Sequence, residues 1–224
     1  MSGNYIWFGS FRAMAFNKIG LRHKYYGLPW QEPYKNHHIP LDHETTKAAK
    51  KRYYKGEVLE RKDFAECSAV YDQKCWAKEK EFSRAGVGYI VDERVAELLS
   101  QFDIGAGGMF PYPIYEADEV TPIPDQWQML GLGAQKRSFR WDMSEHPFLE
   151  CLFDGKGEKD SIYNVGAPVG DDVLAFSSAA LEGADLWQEP ELLSMFCFSD
   201  RLAQALQGAG LGRWFDLERA RIVD

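Results

Sequence analysis

The side chains best able to do chemistry in this chain are its five histidines, its four cysteines and a series of carboxylates toward the C-terminus. Cys151 follows His146 closely enough to be read as a nucleophile and its base. Such a pair needs a third group to orient the base, and none stands nearby in the sequence. Cys67 and Cys75 match no compact zinc spacing. His37, His38 and His43 cluster in a polar stretch around Pro33 and Pro40 that reads as a surface loop. Gly105-Ala106-Gly107-Gly108 lacks the Lys-Ser or Lys-Thr of a phosphate loop and the spacing of a dinucleotide fingerprint. Neither a Gly-x-Ser-x-Gly elbow nor a His-Glu-x-x-His helix occurs. Asp171-Asp172 could serve acid–base work but reads more simply as a solvated turn after Gly170. The expectation is a non-catalytic protein with no catalytic residue, cofactor or metal.

What remains is charge. The chain of 224 residues carries a net charge of −8, unevenly spread. Residues 1–86 hold sixteen Lys and Arg against ten Asp and Glu; residues 87–224 hold ten against twenty-four. The basic peak is Lys47-Ala48-Ala49-Lys50-Lys51-Arg52-Tyr53-Tyr54-Lys55. Its cations and tyrosines could engage a nucleic acid, but helix-forming residues throughout favour a solvated helix. The acidic group comprises Asp171, Asp172, Glu182, Asp185, Glu189 and Glu191 around Trp187. Gly170 and Pro190 place some of these carboxylates on loops, where their field would speed encounter with a basic protein surface. Trp187 reads as a core anchor in preference to an interface hot spot.

The elements that would position these groups point to an α+β fold. Composition is globular, at 45% hydrophobic and 27% charged residues. Mean hydropathy is −0.41, without an apolar run long enough to cross a membrane. No secretory signal is visible at the start, so a reduced, cytoplasmic protein is expected. Residues 1–86 read as a basic, partly helical region, with residues 44–82 helix-prone and broken at Gly56. Residues 87–224 read as an α+β domain with short strands at 126–132, 136–142 and 173–176 and a hairpin tip at 155–160.

That domain contains an internal repeat. Ile90-Val91-Asp92-Glu93-Arg94-Val95-Ala96-Glu97-Leu98-Leu99 aligns without gaps on Cys197-Phe198-Ser199-Asp200-Arg201-Leu202-Ala203-Gln204-Ala205-Leu206. Each copy reads as a strand, a helix capped by Asp92 or Ser199, and a glycine-marked exit toward another strand. Leu98, Leu99 and Val95 lie on one helical face, as do Ala205, Leu206 and Leu202. Two pseudo-repeated strand–helix–strand units with antiparallel β-structure, preceded by a helix-rich N-terminal region, are expected.

The segment Leu181-Glu182-Gly183-Ala184-Asp185-Leu186-Trp187-x-x-Pro190-Glu191-Leu192, followed by Phe198-Ser199-Asp200-Arg201-Leu202 and Ala205-Leu206-x-x-Ala209-Gly210-Leu211, resembles a bacterial family of polymorphic-toxin immunity proteins. It is the eleventh of that series, formerly a domain of unknown function. Val91-Asp92-Glu93-Arg94-Val95, Phe110-Pro111 and Ile114-Tyr115 are similar too, so the resemblance spans about residues 87–224. It implies a cytoplasmic protein that binds and neutralises a cognate toxin domain, and it carries over no catalytic residue. The acidic C-terminal part then implies a toxin with a basic surface. The alternatives are an enzyme with an unrecognised site, or a nucleic-acid-associated protein using Lys47–Lys55.

Overall fold

The computed structural model describes residues 5–10, 20–31, 44–76, 82–145, 149–153, 162–165, 170–192, 195–212 and 215–224. In chain order its elements are β1 (Ile6–Ser10), β2 (Leu21–Lys24), α1 (Glu44–Tyr53), β3 (Cys67–Val70), the single-turn α2 (Gln73–Trp76), β4 (Phe82–Ala85), β5 (Gly88–Asp92), α3 (Glu93–Leu99), β6 (Gly108–Pro111), β7 (Ile114–Tyr115) and β8 (Trp127–Gly131). Then come β9 (Leu149–Phe153), β10 (Ile162–Val165), β11 (Ala175–Phe176), β12 (Leu186–Trp187), β13 (Met195–Ser199), α4 (Asp200–Gly208) and β14 (Leu217–Ile222). The fold is α+β and dominated by sheet.

Two larger sheets organise it. One has the order β11-β14-β1-β13-β12, the other β4-β5-β8-β6. β1 lies antiparallel between β13 and β14, and β8 lies antiparallel between β5 and β6. α3 packs on β5 and β8, α4 on β13 and β1, and the two helices touch. The Asp92 carboxylate caps α3 by accepting from the Val95 amide at 2.9 Å. The Ser199 hydroxyl caps α4 by accepting from the Leu202 amide at 3.3 Å. Each bond satisfies a donor left free by the first helical turn. Val95, Ala96 and Leu99 of α3 are buried, as are Leu202, Ala203 and Leu206 of α4. Full burial of each leucine contributes about 1.5–3 kcal/mol.

The N-terminal part is not helix-rich. Among its described residues, β1 to β4 accompany α1 and the one turn of α2. Residues 67–70 form a strand buried along its length, antiparallel to β2 and parallel to β7. Burial between two strands overrides the local helix preference. Strands on either side of residue 86 also share sheets: β1 pairs with β13 and β14, β3 with β7, and β4 with β5. A further tie is the Trp7 indole, which donates at 2.9 Å to the Asp200 carboxylate.

Residues 136–142 form no strand. Gln135 and Phe139 make single bridges to Gln188 and Phe176, and a short 3₁₀ turn spans Trp141–Met143. The glycine-rich 105–108 stretch is a backbone crossing. A Cβ at Gly107 would fall 1.9 Å from the Gly131 carbonyl oxygen, so only glycine fits. The expected hairpin tip at 155–160 lies outside the described residues, between the antiparallel strands β9 and β10.

Candidate functional site

The basic helix lines a groove. On α1, Thr46, Ala49 and Tyr53 recur at helical spacing and are buried. The Tyr53 hydroxyl donates to the Leu130 carbonyl at 2.9 Å, anchoring the helix on β8. The opposite face therefore presents its lysines outward. The C-terminal turn carries Lys50, Lys51 and Arg52, where cations suit the helix dipole. Gly56 then turns the chain at a φ of +70°, with its amide donating to Gln188 Oε1 at 2.9 Å. That bond holds the end of α1 beside residues 188–192. β10 arrives through the Tyr163 amide, which donates to the Glu191 carbonyl at 2.7 Å.

These three segments enclose a groove of about 270 Å³. Tyr54, Ile162, Pro190 and Leu192 form its apolar part, and Lys47, Lys50, Lys51 and Lys55 its rim. Arg52 is held apart from it, by Glu57 at 3.1 Å and Asp63 at 3.6 Å. Lys51 and Lys55 have no ion-pair partner among the described residues.

The six acidic candidates do not form one surface. Asp185 is 2% exposed. Its carboxylate accepts from Arg201 Nε at 2.6 Å, from the second guanidinium nitrogen, from the Ser199 hydroxyl at 2.6 Å and from the Asp103 amide at 2.9 Å. Burial opposes ionisation, but Arg201, Ser199 and the Asp103 amide outweigh it and hold the group below the usual Asp range. Glu189 is fully buried. It accepts from the Ser138 amide and hydroxyl and from the Trp187 indole at 3.2 Å. Desolvation prevails over those bonds and raises its pKa to about 7. Glu191 is also raised, by burial, with Arg137 at 3.7 Å opposing the shift.

The other three acidic residues lie farther out. Asp171 and Asp172 share Arg219, at 3.7 Å and 3.1 Å. Glu182 is exposed at the end of a 3₁₀ turn. Trp187 is wholly buried, and the Lys136 ammonium sits 3.5 Å from its ring centroid.

Sequence reasoning missed a buried polar chain between β2, β3 and Tyr112. The His23 Nδ1 lies 2.7 Å from the Ser68 hydroxyl, which lies 2.6 Å from the Tyr112 hydroxyl. The Gly86 amide donates to His23 Nε2 at 3.1 Å. Nε2 is thus the acceptor, and the proton on Nδ1 is donated toward Ser68. In that tautomer His23 offers Ser68 a proton rather than accepting one. The available signal was the alternation of β2, in which Leu21 and His23 point inward.

Cys67, Cys151 and Cys197 are free thiols. Burial raises Cys67 to about 11 and Cys197 well above the usual thiol range, which suppresses the reactive thiolate. Cys151 is exposed, while His146, its expected partner, lies outside the described residues, as do His37, His38 and His43. Among the described residues, no group of His, Cys, Asp or Glu is arranged to hold a metal, and no helix is long and apolar enough to cross a membrane. Comparison with protein-family models, curated proteins and solved structures gives no match.

Proposed function

We propose that the protein is a non-catalytic immunity protein that binds and neutralises a cognate toxin domain in the cytoplasm. The observation supporting a binding role is the contrast between its closed polar groups and its open groove. Asp185, Glu189 and the His23–Ser68–Tyr112 chain are committed to internal partners. The groove has no carboxylate, imidazole or thiol among its lining residues. It suits recognition better than bond-making. The toxin half of the reading rests on the motif resemblance within residues 87–224 alone, which no family-model match accompanies.

The scaffold also fits a duplicated unit. β5–α3–β6 encloses β8 as β13–α4–β14 encloses β1, with the helix packed on the corresponding pair of strands. Asp92 and Ser199 cap at matching positions, and three matching apolar positions of the two helices are buried, although Asp200 is buried where its counterpart Glu93 is exposed. In this reading the N-terminal strand fills a slot in the second unit that β8 fills in the first.

Co-expression with candidate toxin domains, taken first from neighbouring reading frames, tests the function. The expected result is restored growth and a stable complex on co-purification. Unrestored growth without complex formation contradicts it.

A further inference from the structure

The lysine-rimmed groove has three properties that narrow its occupant. Its volume of about 270 Å³ accommodates one or two side chains rather than an extended ligand. Its apolar part is mainly aliphatic, from Ile162, Pro190 and Leu192. The one ring in it, Tyr54, already meets Tyr53 edge-on at a centroid distance of 6.0 Å. Single-stranded nucleic acids bind through successive stacking faces along a basic track, and this groove offers a short rim on a chain of net charge −8. An acidic peptide answers the rim's charge without extending a polyanion over the rest of the surface.

We propose that the groove is the docking site for an acidic segment of the protein partner. One apolar side chain of that segment enters against Ile162, Pro190 and Leu192, and flanking carboxylates meet Lys51 and Lys55. The proposal rests on the protein-binding reading above and names the chemistry of the partner. It reverses the polarity expected from the sequence: the partner is acidic where it meets this chain. The apolar anchor supplies most of the hold, while the lysines set the encounter rate and the salt dependence.

The test uses the full chain and labelled dodecapeptides in which Glu and Asp flank a central Leu or Phe. Controls are the same peptides with a central Ser, and a dodecathymidylate. Binding is followed by fluorescence anisotropy for the wild type and for Lys51→Glu/Lys55→Glu, whose folding is checked by thermal melting. The acidic apolar peptides should bind saturably and weaken about tenfold or more in the double variant. They should weaken several-fold with central Ser, and again when salt rises from about 50 to 300 mM. No peptide binding below about 1 mM, or unchanged binding by the folded double variant, overturns the proposal. Tighter binding of the oligonucleotide, lost in the double variant, overturns it in favour of nucleic acid.

Toxin protection separates the two levels of inference. Equal protection by wild type and double variant removes the groove and leaves the immunity reading standing. Groove-dependent peptide binding without protection against any candidate toxin domain removes the immunity reading alone.

Discussion

Residues 182–191 and residues 47–55 carry opposite charges, and the fold uses them in opposite ways. The acidic stretch turns inward at Asp185 and Glu189, each with its own internal donors. The basic stretch buries Ala49 and Tyr53 and leaves its lysines around a groove. The difference lies in the partners available nearby. Asp185 meets a guanidinium and two further donors, so it stays ionised despite its burial. Glu189 meets neutral donors only, and desolvation makes its proton hard to lose. The lysines of α1 have their helix clamped from behind by Thr46, Ala49 and Tyr53 and face outward as a consequence. A stretch rich in charge therefore reveals little about its exposure until its cross-chain partners are known.

The largest effect should come from placing a new charge in the interior without a partner. Leu99→Asp and Leu206→Asp are each expected to cost roughly 4 kcal/mol or more, because neither buried position has a waiting donor. Urea denaturation should show both; an unchanged midpoint would mean that the opposite helical face is buried. Next comes Asp185→Ala, at roughly 2–3 kcal/mol. It strands the Ser199 hydroxyl and the Asp103 amide, while the mostly exposed Arg201 can return to water.

Glu189 gives a pH signature of the opposite sign to that of Asp185. Its folded pKa of about 7 lies above the ordinary Glu value, so the folded state holds the proton more tightly than the unfolded chain. The Glu189 contribution to stability should be greatest below about pH 4.5, fall by roughly 3 kcal/mol up to about pH 7, and then level off. Glu189→Gln, which mimics the protonated group, should flatten that slope in denaturation series across pH. Asp185, held below its ordinary value, contributes stability above about pH 4 that is lost as the pH falls through its folded pKa. The smallest effect on folding belongs to Lys51→Glu/Lys55→Glu and to Asp171→Asn/Asp172→Asn. Each should change stability by less than about 1 kcal/mol, since surface charges and exposed ion pairs contribute little. A large loss from either would erase the contrast between interior acid and exterior base.

Local signals were legible in the sequence, and long-range ones were not. Asp92 and Ser199 were readable as caps because capping needs only an oxygen before an apolar helical face. The near-alternation at 126–132 was readable as a strand, and β8 lies within it. The site of β1 between β13 and β14 left no local trace; its Trp7 and Asp200 are 193 positions apart. The same limit hid the fate of Asp185 and Glu189. Glycine and proline around them resembled an exposed loop, while the groups that receive them sit at Ser199, Arg201 and Ser138. The groove was half visible: the lysines of α1 stood out, but Ile162, Pro190 and Leu192 join them only through the fold.

The most direct test of the central claim is hydrogen–deuterium exchange on the chain alone and in complex with the proposed toxin partner. The account predicts slowed exchange at residues 44–55, 162–165 and 188–192 on binding, with residues 170–173 unchanged. Slowed exchange at 170–173 and 182–184, with residues 44–55 unaffected, would contradict it and return the interface to the acidic face.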